Sequence, residues 1–393
     1  MSTLRADIKL MVVLCLFCPA LLFSQKTNTP ASDPSFTMRV INPDSRYEAA
    51  AILDVNKDGR LDIYCGGYWY EAPSWKSHFV REIPEKDEYF LDFGAIPIDV
   101  DGDGWTDVVS AAWHNKSVFW IRNPGKSGKN FEVFPIDAPG NIETVIAADI
   151  NGDGRLDILP NVMTTVVWYE YKQDKSDPSG ARWVKHEVSK EVAGHGIGVG
   201  DINGDRRNDI VVPKGWLEQP TAANGPWPFH PEFELGSASV PILVHDLDAD
   251  GDADLIFGLG HNYGLYWLEQ AVDSAGKRTW ARHEIDKSWS QPHFLLLADL
   301  NKDGQKELIT GKRYRAHNGK DPGENDPRCL YYYSYDRTGK LWKKHAISQE
   351  GGPAGFGISS MALDIDKDGD IDIVAPGKSG LYLFENRLVN KKK

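Results

Sequence analysis

Asp364, Asp366, Asp368 and Asp372 put carboxylates at positions 1, 3, 5 and 9 of one short stretch, with Gly369 at position 6. Short oxygen-bearing side chains at alternating positions can wrap a hard cation such as Ca²⁺, and glycine permits the sharp turn that aims them inward. A helix–loop–helix calcium site would add a bidentate Glu at position 12. That place is Ala375, in the apolar run DIVAP, so the loop is expected between two strands.

The motif occurs six more times. Its candidate calcium ligands are Asp54, Asn56, Asp58 and Asp62; Asp99, Asp101, Asp103 and Asp107; Asp149, Asn151, Asp153 and Asp157; Asp201, Asn203, Asp205 and Asp209; Asp246, Asp248, Asp250 and Asp254; and Asp299, Asn301, Asp303 and Glu307. Arg206 stands where glycine belongs in the fourth loop, and Glu307 takes position 9 of the sixth, so these two are expected to bind weakly or not at all. Extracellular loops of this kind typically hold Ca²⁺ at ~10⁻⁴ to 10⁻³ M and act as staples. Chemistry is therefore sought elsewhere in the chain.

The histidines supply a second set of reactive groups. His78, His186, His230, His283 and His345 repeat in a Trp-x-x-His pattern, which marks them as structural, and His245 sits inside an apolar segment just before its loop. His114, His195, His261, His293 and His317 obey no repeat. His195 and His293 lie six residues before the first Asp of their loops, the slot that Glu48 and Glu143 hold in other copies. His114, His261 and His317 follow the apolar run after a loop. A six-residue strand spans ~20 Å, so all five imidazoles are expected at the end opposite the calcium loops.

Tyr68, Trp69, Lys214, Lys312, Arg313, Tyr314 and Lys378 are assigned to the same end. His195, His261 and His293 could hold Zn²⁺ or Mn²⁺, with Glu143 as a further ligand or a base. Without metal, the same groups could abstract a proton next to a carbonyl while Lys312 or Arg313 stabilises the enolate. The candidate catalytic set is Glu143, His195, His293, Lys312, Arg313, Tyr314 and His317. The candidate substrate-binding set is Tyr68, Trp69, His114, Lys214 and His261, and aromatic rings such as Trp113 and Tyr263 could stack on sugars.

Four strands per copy would position these groups. Apolar segments precede and follow each loop, an alternating aromatic segment comes third (VFWIRN, VVWYEY, LYWLEQ), and the Trp-x-x-His segment comes fourth. Copies recur at 45, 50, 52, 45, 53 and 65 residues. This is the period of an all-β, seven-bladed β-propeller with one calcium loop per blade. The last copy lacks its fourth segment, and Phe36–Ile41 has the missing shape, so an N-terminal strand is expected to close the ring. One domain is expected over residues 30–390. The Gly-x-Gly spacing in GHGIGVG leads into a loop and not a helix, which excludes a dinucleotide fingerprint.

Residues 1–24 carry Arg5 and Lys9 ahead of the apolar run Leu10–Phe23, the layout of a signal peptide. That run is shorter than the ~20 residues of a spanning helix. The protein is accordingly expected to be exported (periplasmic, cell-surface or secreted) with no transmembrane segment after signal removal. Cys65 and Cys329 would then be the remaining cysteines, too few for a disulfide framework. A formal charge of −13 with no basic stripe speaks against nucleic acid as a partner. Signal removal takes a net +1 (Arg5, Lys9, Asp7), leaving −14, which seven Ca²⁺ would bring to zero.

The seven DxDxDGxxD copies resemble the FG-GAP or VCBS repeats of integrin-type propellers. The segment HFLLLADLNKDGQKELITGKRYRAHNGKDPGENDP, residues 293–327, resembles a blade in propellers related to fungal aldos-2-ulose dehydratase. That resemblance implies a metal-assisted lyase or dehydratase acting on an oxidised carbohydrate, with His293, Lys312, Arg313, Tyr314 and His317 in or near the site. The expected function is thus an exported keto-sugar lyase working by proton abstraction and β-elimination. The alternatives are a non-catalytic glycan- or protein-binding propeller, and a polysaccharide lyase acting on uronates.

Overall fold

Branched and aromatic residues on either side of each aspartate loop form short paired strands, as Ala50–Leu53 and Asp62–Cys65 do around the first. The computed structural model describes residues 33–388 apart from 128, 175, 178, 223 and 224. The expected signal peptide and the limits of the expected domain lie outside the described residues.

Seven four-stranded antiparallel sheets make a seven-bladed propeller, and no α-helix occurs among the described residues. Blades one to six each use four consecutive strands. The seventh consists of Ala362–Leu363, Asp372–Ala375 and Leu381–Asn386, with Phe36–Asn42 paired antiparallel on its outer side. First strands of neighbouring blades approach one another around the axis, and Ala49 forms a parallel bridge to Ser359 across blades one and seven. Seven apolar clusters fill the molecule, each drawn from two adjacent blades. Burial of apolar surface therefore holds blade to blade, so no blade has a core of its own.

The loops close through buried carboxylates. At position 9, Asp62, Asp107, Asp157, Asp209, Asp254 and Asp372 each accept two backbone N–H groups, one from position 2 of the loop and one from the end of the third strand. In the sixth loop Glu307 accepts Leu300 N–H at 2.8 Å, and its other oxygen takes the Asn301 side chain at 2.9 Å.

The carbonyl of the same position-2 residue is claimed by the next blade. Asn123 donates to Val55 O, Tyr171 to Val100 O, Gln219 to Ile150 O, Gln270 to Ile202 O, Arg337 to Leu247 O and Asn386 to Leu300 O. On the outer strands, His78, His186, His230, His283 and His345 each stack on an aromatic ring of the third strand, at centroid distances of 4.0–4.7 Å. These five histidines are packing elements, as their repetition indicates.

Burial raises the position-9 acids despite their N–H donors: Asp62 and Asp157 to about 6, Asp209, Asp254, Glu307 and Asp372 to about 7, and Asp107 to about 8. A folded-state pKa above the unfolded value means that the native state binds more protons. Stability from such a group is present below the unfolded pKa and is lost as pH rises through the folded one. In chelator, Asp209→Asn is expected to flatten the fall in urea stability between about pH 4 and pH 7, by at most about 1.4 kcal/mol per pH unit. An unchanged slope would show that Asp209 does not titrate in this range.

Candidate functional site

The residue six before each loop sits one strand length from it, so this slot reaches the far rim near the axis. There Glu48 (blade one), Glu143 (blade three), His195 (blade four) and His293 (blade six) converge, as the repeat register predicts. Phe93 holds the same slot in blade two and lines the same cavity. His261 comes from the loop after the second strand of blade five. Arg313, His317 and Asp321 come from residues 313–329, the long connection between Glu307–Lys312 and Leu330–Asp336 of blade six.

Arg313 is 2% exposed and bridges two acids across the channel. Its Nε donates to Glu48 Oε1 at 2.9 Å and its Nη1 to Glu143 Oε1 at 2.6 Å. Burial opposes charge on Glu143, but Arg313, with His293 and His195, outweighs it and holds this carboxyl well below the usual range. The same Glu143 oxygen lies 2.9 Å from His293 Nε2 and 3.9 Å from His195 Nε2.

Tautomers follow from the partners. His195 Nδ1 is 2.6 Å from Ala238 O, and a carbonyl only accepts, so Nδ1 carries the proton and Nε2 a lone pair. Burial lowers His195 to about 4, so it is neutral at pH 7. His261 Nδ1 donates to Asp321 Oδ2 at 2.9 Å, and His317 Nδ1 meets the other oxygen at 2.8 Å. Burial would raise Asp321, but the two histidines win and hold it at about 2. His261 Nε2 is thereby turned towards His195 Nε2, 2.9 Å away. Two lone pairs do not face each other at that distance unless a proton or a cation lies between them.

Ligand atoms of Glu143, His195, His261 and His293 all lie within 4.8 Å of one another. The set matches a borderline divalent ion, and the Ala238 and Asp321 bonds are the outer contacts that orient ligating imidazoles. Beside it is a cavity of about 190 Å³ lined by Tyr89, Phe93, Trp113, His114, Glu143, Arg313 and His317. His114 is lowered by burial and by Lys86, and its Nε2 lacks a hydrogen bond.

Other expected site residues do not line the cavity. Lys312 points away from Arg313, as successive strand residues do, and donates to Ser290 Oγ at 2.7 Å and Gly323 O at 2.5 Å. It anchors the long loop. Tyr314 lies under Arg328. Tyr68 and Trp69 do not line the cavity, and only Gly66 and Gly67 separate the second and third strands of blade one. They belong to the third strand, where Trp69 stacks on His78 and Tyr68 packs on Phe79. Lys214 is exposed in a similarly tight turn. Lys378 sits 3.8 Å over the Tyr89 ring and donates to Arg315 O.

Asp321 and Tyr89 escaped the sequence reading. Asp321 lies four residues after His317, a spacing that could have suggested a pair. Tyr89 belongs to a hairpin, Glu85–Lys86 with Tyr89–Phe90, inserted between blades one and two outside any repeat.

The aspartate loops fall into two groups. Where position 3 is Asn, the position-1 Oδ1 accepts an N–H from within the loop, as Asp54, Asp149, Asp201 and Asp299 do. Where position 3 is Asp, the Oδ1 atoms of Asp99, Asp246 and Asp364 are buried without a hydrogen-bond partner. Only these three loops bring three carboxylates within 4.8 Å among the described residues.

A profile described as FG-GAP-like repeat matches residues 99–159, so the propeller carries at least one such repeat. No curated protein matches the chain. Among solved structures, similarity is found to an Agrocybe aegerita lectin that recognises non-reducing terminal N-acetylglucosamine (16% identity, 77% of this chain and 80% of that chain, TM-score 0.48). The exotype rhamnogalacturonan lyase YesX is similar at 12% identity over 89% of this chain and 72% of that chain, TM-score 0.49. BBS1N in its complex with ARL6DN is similar at 13% identity over 91% and 97%, TM-score 0.48. At these identities none of the three transfers an activity to this chain.

Arg313→Leu leaves Glu48 and Glu143 buried without their cation. It is expected to cost about 3–5 kcal/mol in urea unfolding, and adding Glu48→Gln should recover part of that loss. A loss below about 1 kcal/mol would mean that the triad is hydrated and not a structural link.

Proposed function

We propose that the rim cluster is a metal-assisted acid–base site that removes water or an alcohol from an oxidised sugar. The observation that carries this reading is the 2.9 Å approach of His195 Nε2 to His261 Nε2 beside the Glu143 carboxylate. Glu143, His195, His261 and His293 would hold a Zn²⁺ or Mn²⁺ ion, which would polarise the ketone of a bound substrate. Three carboxylates (Glu48, Glu143, Asp321) against one guanidinium (Arg313) give a formal −2, which a divalent ion balances.

The chain's own groups supply the rest. Tyr89, Phe93 and Trp113 form the apolar wall for a sugar ring. His317, held by Asp321, takes the proton α to the ketone. The C–H electrons become the C=C bond, the β C–O bond breaks, and His317 returns the proton to the departing oxygen. Arg313 keeps Glu143 ionised throughout. The resemblance of residues 293–327 to dehydratase-related propellers supports the keto-sugar class.

We also read Ca²⁺ as a structural ion of the second, fifth and seventh loops. The support is their higher ligand charge and the partnerless Oδ1 atoms of Asp99, Asp246 and Asp364. The expectation of a calcium site in every loop, weak or absent in the fourth and sixth, is narrowed accordingly. Millimolar Ca²⁺ outside the cell would fill such sites, which fits the export expected from residues 1–24.

Elemental analysis of protein purified without chelator should find one Zn or Mn and about three Ca per chain, the latter matching the three acidic loops. His195→Ala and His261→Ala should weaken the transition metal by about 10–100-fold and leave calcium unchanged. Incubated with 2-keto and 3-keto sugars, the wild type should produce enone absorbance, and His317→Ala should lose it. Metal binding with flat traces across the panel would leave a glycan-binding propeller as the reading, and no transition metal at all would remove the site.

A further inference from the structure

Arg206 occupies position 6 of the fourth loop with φ +69°, where the other six loops have glycines at φ +84° to +100°. A left-handed conformation strains an L-residue in a way that glycine avoids. The backbone still closes as in the other loops, with Arg206 N–H donating to Asp201 Oδ2 at 2.7 Å. The substitution therefore adds strain and brings no closing bond of its own.

The side chain has a place to act. Blade four is built from very short strands, ending in Gly215–Leu217 and the two-residue Phe229–His230, whereas the neighbouring outer strands Val166–Gln173 and Ala181–Ser189 of blade three run on. The mismatch leaves a cavity of about 570 Å³ between the two blades on the loop face, lined by Trp168, Glu170, Lys172, Arg206, Arg207 and Trp227 among others. Most of its charges are already paired. Glu170 takes Lys172 and His186 at 3.1 Å each, and Arg207 takes Asp205 at 2.5 Å and Gln219 O at 3.1 Å. The Arg206 guanidinium forms no hydrogen bond or ion pair among the described residues and is exposed.

We infer that the groove between blades three and four is a second binding site, for a carboxylate-bearing saccharide, with Arg206 as its anion anchor. A free guanidinium fork matches one carboxylate with two parallel hydrogen bonds. The half-buried Trp227 offers an apolar face of the size of a sugar ring. An acidic peptide adding as a strand to blade four is disfavoured, because the outer strand of that blade is two residues long and gives almost no free edge. The site lies at the opposite end of the blades from His195 and His293 and does not depend on the rim chemistry.

The test is titration calorimetry of the full chain with a galacturonate oligosaccharide, the neutral galactose oligosaccharide of equal length, and a poly-Glu peptide. Wild type should bind the uronate and neither of the others. Arg206→Gly restores the glycine of the other loops, so its melting temperature should equal or exceed wild type while uronate affinity drops by about tenfold or more. Arg206→Asn, which tolerates the same backbone, should behave likewise and covers the case of a poorly folded glycine variant. Unchanged uronate binding in both variants overturns the proposal. So does equal binding of the neutral sugar or of poly-Glu, or no binding of the uronate to wild type.

Discussion

One peptide group per blade carries the architecture: the residue at loop position 2. Its N–H is held by the buried carboxylate at position 9 of its own loop, and in six blades its carbonyl is held by a side chain of the next blade. A buried peptide group without partners would be costly, so each blade sits correctly only when its neighbour does. Because the apolar clusters also straddle blades, closing the ring is a single event in which hydrogen bonding and packing agree. Fixing position 2 also fixes the strand leading to it, and with it the residue that arrives at the rim.

The rim constellation exists only in the closed ring. Glu48, Glu143, His195, His261 and Arg313 come from blades one, three, four, five and six, and Arg313 joins acids 265 and 170 residues away in the chain. Burying an arginine between two carboxylates is a poor way to gain stability, since desolvation consumes most of the attraction. What it secures is an ionised Glu143 at a point where His195 Nε2 and His261 Nε2 also converge. The proposed site rests on that arrangement.

The repeat made the fold readable. Seven loops with strand patterns around them left little freedom once each copy was seen as one blade, and register alone placed Glu48, Glu143, His195 and His293 together. The reasoning failed where the chain departs from regular blade geometry. Tyr68, Trp69 and Lys214 sit in or next to two-residue turns, too short to extend over the channel, so residues that follow a second strand there belong to the turn or already to the third strand. Lys312 and Arg313 are neighbours in sequence but face opposite ways, and a motif that names both cannot say which one enters the channel. Asp321 acts through a loop whose path no periodicity encodes.

In a protein of seven near-copies, constancy and deviation carry different information. The aromatic–His stacks recur in five blades and the position-9 acids in all seven, where they serve packing and loop closure. The deviations fall in two places. At the rim, the slot six before the loop changes from apolar in blades five and seven (Val240, Ile358) to acid or imidazole in blades one, three, four and six, and only the sixth blade lengthens its inner connection to deliver Arg313 and Asp321. On the loop face, one glycine becomes an arginine at a conformation that penalises it, within the short-stranded fourth blade. Structural duty explains neither change, since the remaining copies fold without it. The repeated scaffold thus acts as an internal control, against which a residue without a repeated structural duty stands out.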